Sequence, residues 1–186
     1  SLPFTSSAYH SLQAETEACL RRLLAIPDDF AVLFMAGGAS AQFALLPMNL
    51  LAAADEAAAP GAQAGVRQAL YIDSGHWSRR AIAEARRCAP IETIDLNALG
   101  HDDDGPCIPA AARAERGGRR LAYVHLTANE TADGLQFPAL PKTAAPLVAD
   151  LTSELLTRPL DWHRLGLAYA GTQKTIGTPG LTLVIV

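Results

Sequence analysis

The sequence predicts an α/β domain: a mostly parallel sheet with helices on both faces. Three observations carry this. Short apolar runs alternate with helix-period segments almost from end to end of the 186 residues. Runs such as LAYVHL, LVADL, GLAYA and LTLVIV are continuous rather than alternating, as strands covered on both faces are. Five strand ends carry small or polar residues, namely GGAS, DSGHW, TANET, Asp150 and TQK, where parallel sheets place their ligands.

The elements follow in order. Residues 7–24 read as a helix with Tyr9, Leu12, Cys19, Leu20, Leu23 and Leu24 near one face, stopped by Pro27-Asp28. AVLFM, residues 31–35, reads as a buried strand. GGAS turns the chain into a helix over residues 41–54, bent at Pro47. The low-complexity stretch 52–65 reads as a frayed helix end and surface loop. ALYI (69–72) is a strand, and a helix runs from 78 to about 88. IETIDL (91–96) is a strand, and HDDDGP (101–106) a solvated acidic turn without the alternating ligand spacing of a calcium loop. A short helix near 109–116 precedes strands at 121–126, 147–151, 166–170 and 181–186. The turn between the last two is too short for a crossover helix, so that pair is expected to be antiparallel.

Composition narrows the function. The length fits one domain with a real core. A net charge of −4 gives no reason to expect a nucleic acid or an anionic membrane as partner. Paired arginines such as Arg86-Arg87 read as solvated helix faces. Cys19, Cys88 and Cys107 are odd in number and widely spaced, which fits neither a disulfide framework nor a zinc site. With no apolar run long enough for a bilayer and no leader pattern, a reducing cytoplasm is expected. The Asn129-Glu130-Thr131 triplet is then no glycan acceptor and needs another explanation.

The chain uses arginine almost throughout, with only two lysines, Lys142 and Lys174. Lysine is the cationic side chain whose amine can lose its proton and attack a carbonyl. Lys174 sits in YAGTQKTIGTPG between an apolar strand and a Gly-Pro turn; Lys142 lies in a proline-bounded loop and is the poorer candidate. Gly37-Gly38-Ala39-Ser40 leads from strand to helix without bulky side chains, as a phosphate cradle would, although a plain tight turn explains it equally. Asp150 closes an apolar strand and needs either a cationic partner, such as a protonated ring nitrogen, or a capping role toward Thr152-Ser153. Trp77 at a strand end can stack on an aromatic ligand, or simply be core. Thr131 offers a hydroxyl beside the same crevice. A phosphate cradle, a stacking indole, an acid for a ring nitrogen and an amine for an aldehyde together describe pyridoxal phosphate, with Lys174 forming the Schiff base.

These residues also resemble a known family. FMAGGASAQFALLPMNLL, YIDSGHWSRRAIAEA, AYVHLTANETADGLQF, LVADLTSELLTRPLDW and YAGTQKTIGTPGLTLVIV are similar to phosphoserine aminotransferases, class V enzymes of pyridoxal-phosphate fold type I. The resemblance implies that residues 1–186 are the large cofactor-binding domain, without the family's N-terminal arm and small C-terminal domain. It implies that Lys174 carries the cofactor, Gln173 contacts it, and Ala39 and Ser40 hold its phosphate. Trp77 would stack on the ring, Thr131 would bond near the ring hydroxyl, and Asp150 would pair with the ring nitrogen. The reaction implied moves an amino group between glutamate and 3-phosphohydroxypyruvate, giving phosphoserine and 2-oxoglutarate, in serine biosynthesis and, in many bacteria, pyridoxine biosynthesis. A homodimer is implied, because the family completes each phosphate site from a second subunit. One departure stands out: Phe4 and Thr5 occupy the places of a family His-Arg pair that grips substrate phosphate. The competing readings are another class V aminotransferase, such as the serine–glyoxylate type, a desulfurase, or a non-catalytic relative. Cys107 lies far in sequence from the cofactor motifs, which argues against the desulfurase.

Overall fold

A computed structural model describes residues 2–51, 68–109 and 121–186 of the chain. The low-complexity stretch 52–65 and nearly all of the helix expected near 109–116 lie outside the described residues.

Helix α1 (Ser7–Leu24) starts where the Ser6 hydroxyl accepts from Tyr9 N, and ends at Ala25 in the left-handed region (φ 51°). Its expected apolar face is only partly right. Leu20 and Leu24 are buried, but Leu12 is 53% and Leu23 64% exposed, because only the last turns of α1 meet the core. Arg21 is not a solvated charge either: it bonds Glu17 and the carbonyls of Pro27 and Phe30, tying the helix end to the chain that leaves it.

The central sheet has the order β1-β11-β10-β9-β6-β2-β3. Strands β2 (Gln68–Asp73), β3 (Ile91–Asp95), β6 (Leu121–Thr127), β9 (Leu147–Asp150) and β10 (Leu165–Gly171) run parallel. Strand β11 (Leu181–Ile185) is antiparallel to β10, as the short connection requires. It is also antiparallel to β1 (Val32–Ala36), which is therefore an edge strand. The buried strand expected there is corrected accordingly: with one neighbour only, β1 leaves Leu33 44% exposed. Gly37 (φ 94°) then makes the left-handed turn into α2 (Ala39–Leu50), which contains Pro47.

Alternate side chains build a core on each face. Leu70, Ile72, Val124, Leu126 and Ala149 pack with Leu20 and Leu24 of α1 on one face. Ala69, Tyr71, Tyr123, Val148 and Tyr169 pack on the other with Phe43 and Leu46 of α2 and Ala81, Ile82 and Ala85 of α3 (His76–Cys88). Two hairpins complete the description. Strands β4 (Gly100–Asp102) and β5 (Gly105–Cys107) form the acidic turn, where Asp102 and Asp104 both bind Lys142. Strands β7 (Asn129–Glu130) and β8 (Leu135–Gln136) follow β6 directly.

Candidate active site

The site begins with one row of the sheet. Thr127, Asp150 and Tyr169 are lateral partners across β6, β9 and β10. Their neighbours Leu126, Ala149 and Ala168 belong to the α1 core, so the row faces α2 and α3.

Asp150 is 5% exposed, and its Oδ1 accepts from Thr152 N at 2.9 Å, so the capping role is real. Burial raises its pKa; the Thr152 bonds and the Lys174 charge pull it down, and Glu130 pushes it up. Behind it the Tyr169 hydroxyl lies 2.9 Å from His125 Nε2. The His125 ring stacks on Tyr71 at 4.5 Å, and the hydroxyls of Tyr71 and Tyr123 are 2.8 Å apart. Burial lowers His125 to about 3, which keeps the imidazole neutral, and raises Tyr123 to about 12. It also raises Tyr169, with the Asp150 charge adding to the effect.

In front of the row, Lys174 Nζ donates to Thr131 Oγ1 at 3.0 Å. Trp77 Nε1 donates to the same oxygen at 3.1 Å, and Lys174 Nζ stands 5.4 Å from the Trp77 ring centre. Trp77 is half-buried at the crevice rather than part of the core. The first turn of α2 has no side-chain cap and no acidic residue. Ala41 N donates to Gly38 O, which leaves the N–H groups of Ala39 and Ser40 and the positive dipole end to take an anion. A cavity of about 150 Å³ joins these parts, with Ala39, Ser40, Trp77, Asp150, Gln173 and Lys174 on its walls. Six of the seven expected residues thus share one cavity, and Thr131 braces two of them beside it. Phe4 and Thr5 are exposed ahead of α1 and are not among its walls.

The donors and acceptors fit pyridoxal phosphate. The uncapped α2 start suits the phosphate, and the buried Asp150 carboxylate suits a ring N–H. Thr127 Oγ1, on the cavity wall, is buried without a hydrogen-bond partner and so has bonding capacity to spare.

The aminotransferase class-V family model matches residues 4–186. The chain belongs to the class-V aminotransferase family. Phosphoserine aminotransferase from Hahella chejuensis is 44% identical over 183 residues, 97% of this chain and 46% of that protein. The solved phosphoserine aminotransferase from Bacillus circulans subsp. alkalophilus matches at 35% identity with a TM-score of 0.79, covering 100% of this chain and 47% of that one. The pyridoxal-phosphate-bound phosphoserine aminotransferase from Trichomonas vaginalis matches at 30% identity and TM-score 0.77, over 100% and 51% of the two chains. This class-V chain therefore spans about half the length of the relatives it matches.

Within the class-V site, the sequence reading missed Thr127, His125 and Tyr169. A signal for two of them exists: His125 and Thr127 are polar residues two apart in an apolar strand, which puts both on one face. A larger hollow of about 580 Å³ lies at the opposite, amino ends of β9 and β10, bordered by Lys142, Pro146 and Gly166. Its lysine is held by Asp102 and Asp104, so the larger space is not where the free amine sits. Cys107 pairs with Lys142 at that end, away from the cavity.

Proposed function

We propose that the intact protein is a phosphoserine aminotransferase, moving an amino group between glutamate and 3-phosphohydroxypyruvate with pyridoxal phosphate as cofactor. The observation that carries this is the meeting of Lys174 Nζ, the Trp77 ring, Thr131 Oγ1 and buried Asp150 beside the uncapped start of α2.

Bound there, pyridoxal phosphate supplies an aldehyde for amino groups and a ring that accepts the electron pair released at the substrate α carbon. Backbone N–H groups at Ala39 and Ser40 hold the phosphate. Asp150 holds the proton of the ring nitrogen; burial makes its carboxylate costly when alone, so a cationic N–H is the partner that offsets the cost. Trp77 orients the ring by stacking, and Gln173 flanks it. Lys174 Nζ, oriented by Thr131, would hold the aldehyde end of the cofactor and, as a free amine, would take the α proton of the substrate.

The intact protein is read as a cytoplasmic homodimer, with phosphoserine, glutamate and 2-oxo acids as its small-molecule substrates and no nucleic-acid or membrane partner. Among the described residues no helix is long and apolar enough to cross a membrane. The test is borohydride reduction of the cofactor-loaded full-length protein, followed by peptide mapping and assays of Lys174→Ala. Label on Lys174, with transamination abolished and some cofactor still bound non-covalently in the variant, is expected. Full activity of Lys174→Ala would sink the reading.

A further inference from the structure

The Asn129-Glu130-Thr131 triplet has more to do than end a strand. Glu130 is fully buried, and a carboxylate taken out of water needs strong partners. Among the described residues no salt bridge reaches it. Its partners are the first turn of α3: Trp77 N and Ser78 N each donate at 2.7 Å, and Ser74 Oγ at 3.2 Å. Asp133, four residues from Asn129 on the same hairpin, accepts from His76 N at 2.7 Å. The first three N–H groups of α3 are thus all held by two carboxylates of one hairpin, and the dipole of the helix adds to the attraction. The approach is close enough to require Gly75: a Cβ there would fall 2.5 Å from Asp133 Oδ2 and 3.0 Å from Glu130 Cδ.

Trp77 is held at both ends by adjacent residues of the triplet. Its backbone N–H is fixed on Glu130 Oε2, and its indole N–H on Thr131 Oγ1. One hydrogen bond leaves an indole free to rotate about it; two at opposite ends of the residue set the ring plane. We propose that Glu130 is a positioning residue that sets the Trp77 indole plane at the crevice, acting through the backbone of α3 while Thr131 holds the edge of the ring. The inference rests on the reading of Trp77 as the stacking platform of a flat ligand. It also accounts for the contrast between two helix starts at one site: α3 is filled by protein carboxylates, while α2 is left open.

The experiment uses full-length, cofactor-free protein labelled with 5-fluorotryptophan, the Trp77 ¹⁹F signal being assigned by its loss in Trp77→Phe. Glu130→Gln keeps the shape but turns an acceptor into an amide whose NH₂ opposes a backbone N–H. The expected result is a displaced or broadened Trp77 signal and, on adding pyridoxal phosphate, roughly tenfold weaker retention, the loss of one charge-assisted bond. Asp133→Asn, in a more exposed place, should move the signal the same way by less. A folded Glu130→Gln protein with an unmoved Trp77 signal would overturn the proposal, however much its melting temperature fell, since that is what a plain helix cap predicts. If Glu130→Gln does not fold, Glu130→Asp, which keeps the charge but shortens the reach to the α3 N–H groups, takes its place, and an unmoved Trp77 signal there overturns the proposal. The ¹⁹F readout precedes any cofactor. A displaced indole in protein that never binds pyridoxal phosphate would support the positioning role and sink the aminotransferase reading.

Discussion

Acidification should destabilise this fold through one histidine. His125 is fully buried, and burial brings it from 6.5 to about 3. In the unfolded chain it titrates near its ordinary value of about 6.5. Between those limits the unfolded state holds a proton that the folded state does not. Stability therefore falls as pH falls, by up to about 1.36 kcal/mol per pH unit. By about pH 5 the loss is roughly 2 kcal/mol, and across the whole interval it is on the order of 5 kcal/mol. That is comparable with the entire stability of many domains, about 5–15 kcal/mol. Asp150 acts with the opposite sign: its raised pKa lets the folded state keep a proton at pH where the unfolded chain has lost it, so its contribution grows on acidification. The assay is urea unfolding of the intact protein between about pH 7 and about pH 5, a window above most carboxylate titrations. His125→Phe fills the space but loses the bond to Tyr169, costing roughly 1–3 kcal/mol at neutral pH while removing the histidine slope. Equal losses of stability in wild type and His125→Phe across this window would refute the reasoning.

Three further outcomes are expected. Asp150→Asn in the full-length enzyme should cost on the order of 3 kcal/mol of transition-state stabilisation, roughly a hundredfold in turnover, with a smaller loss of cofactor affinity; near-normal turnover would leave the residue only its bond from Thr152 N. Because Thr5 offers one neutral hydrogen bond where an arginine would offer a charged pair, worth about 1.5–3 kcal/mol, the protein should separate phosphoserine from serine less sharply than Thr5→Arg does. Strong phosphoserine preference unchanged by Thr5→Arg, read as catalytic efficiency on both substrates, would show that the phosphate is gripped elsewhere. Sedimentation of the intact protein should give a homodimer, and a fully active monomer would contradict a shared phosphate site.

Much of the architecture was legible in the chain because its signals are local. The ends of α1, the parallel run of apolar strands and the antiparallel last pair follow from periodicity, the Pro27-Asp28 stop and connection length, which neighbours in sequence carry. So does the place of Lys174 just beyond the carboxyl end of an apolar strand. Tertiary structure decided what depends on distant partners. It put β1 at an edge, exposing Leu33, and turned Leu12 and Leu23 of α1 away from the core. It gave buried His125 its bond to Tyr169, 44 residues on, and gave Glu130 the N–H of Trp77, 53 residues back. The identity of a buried polar residue states that it must be satisfied, since leaving it alone in the interior costs several kcal/mol. Which group satisfies it is fixed only when the sheet lays separate strands side by side.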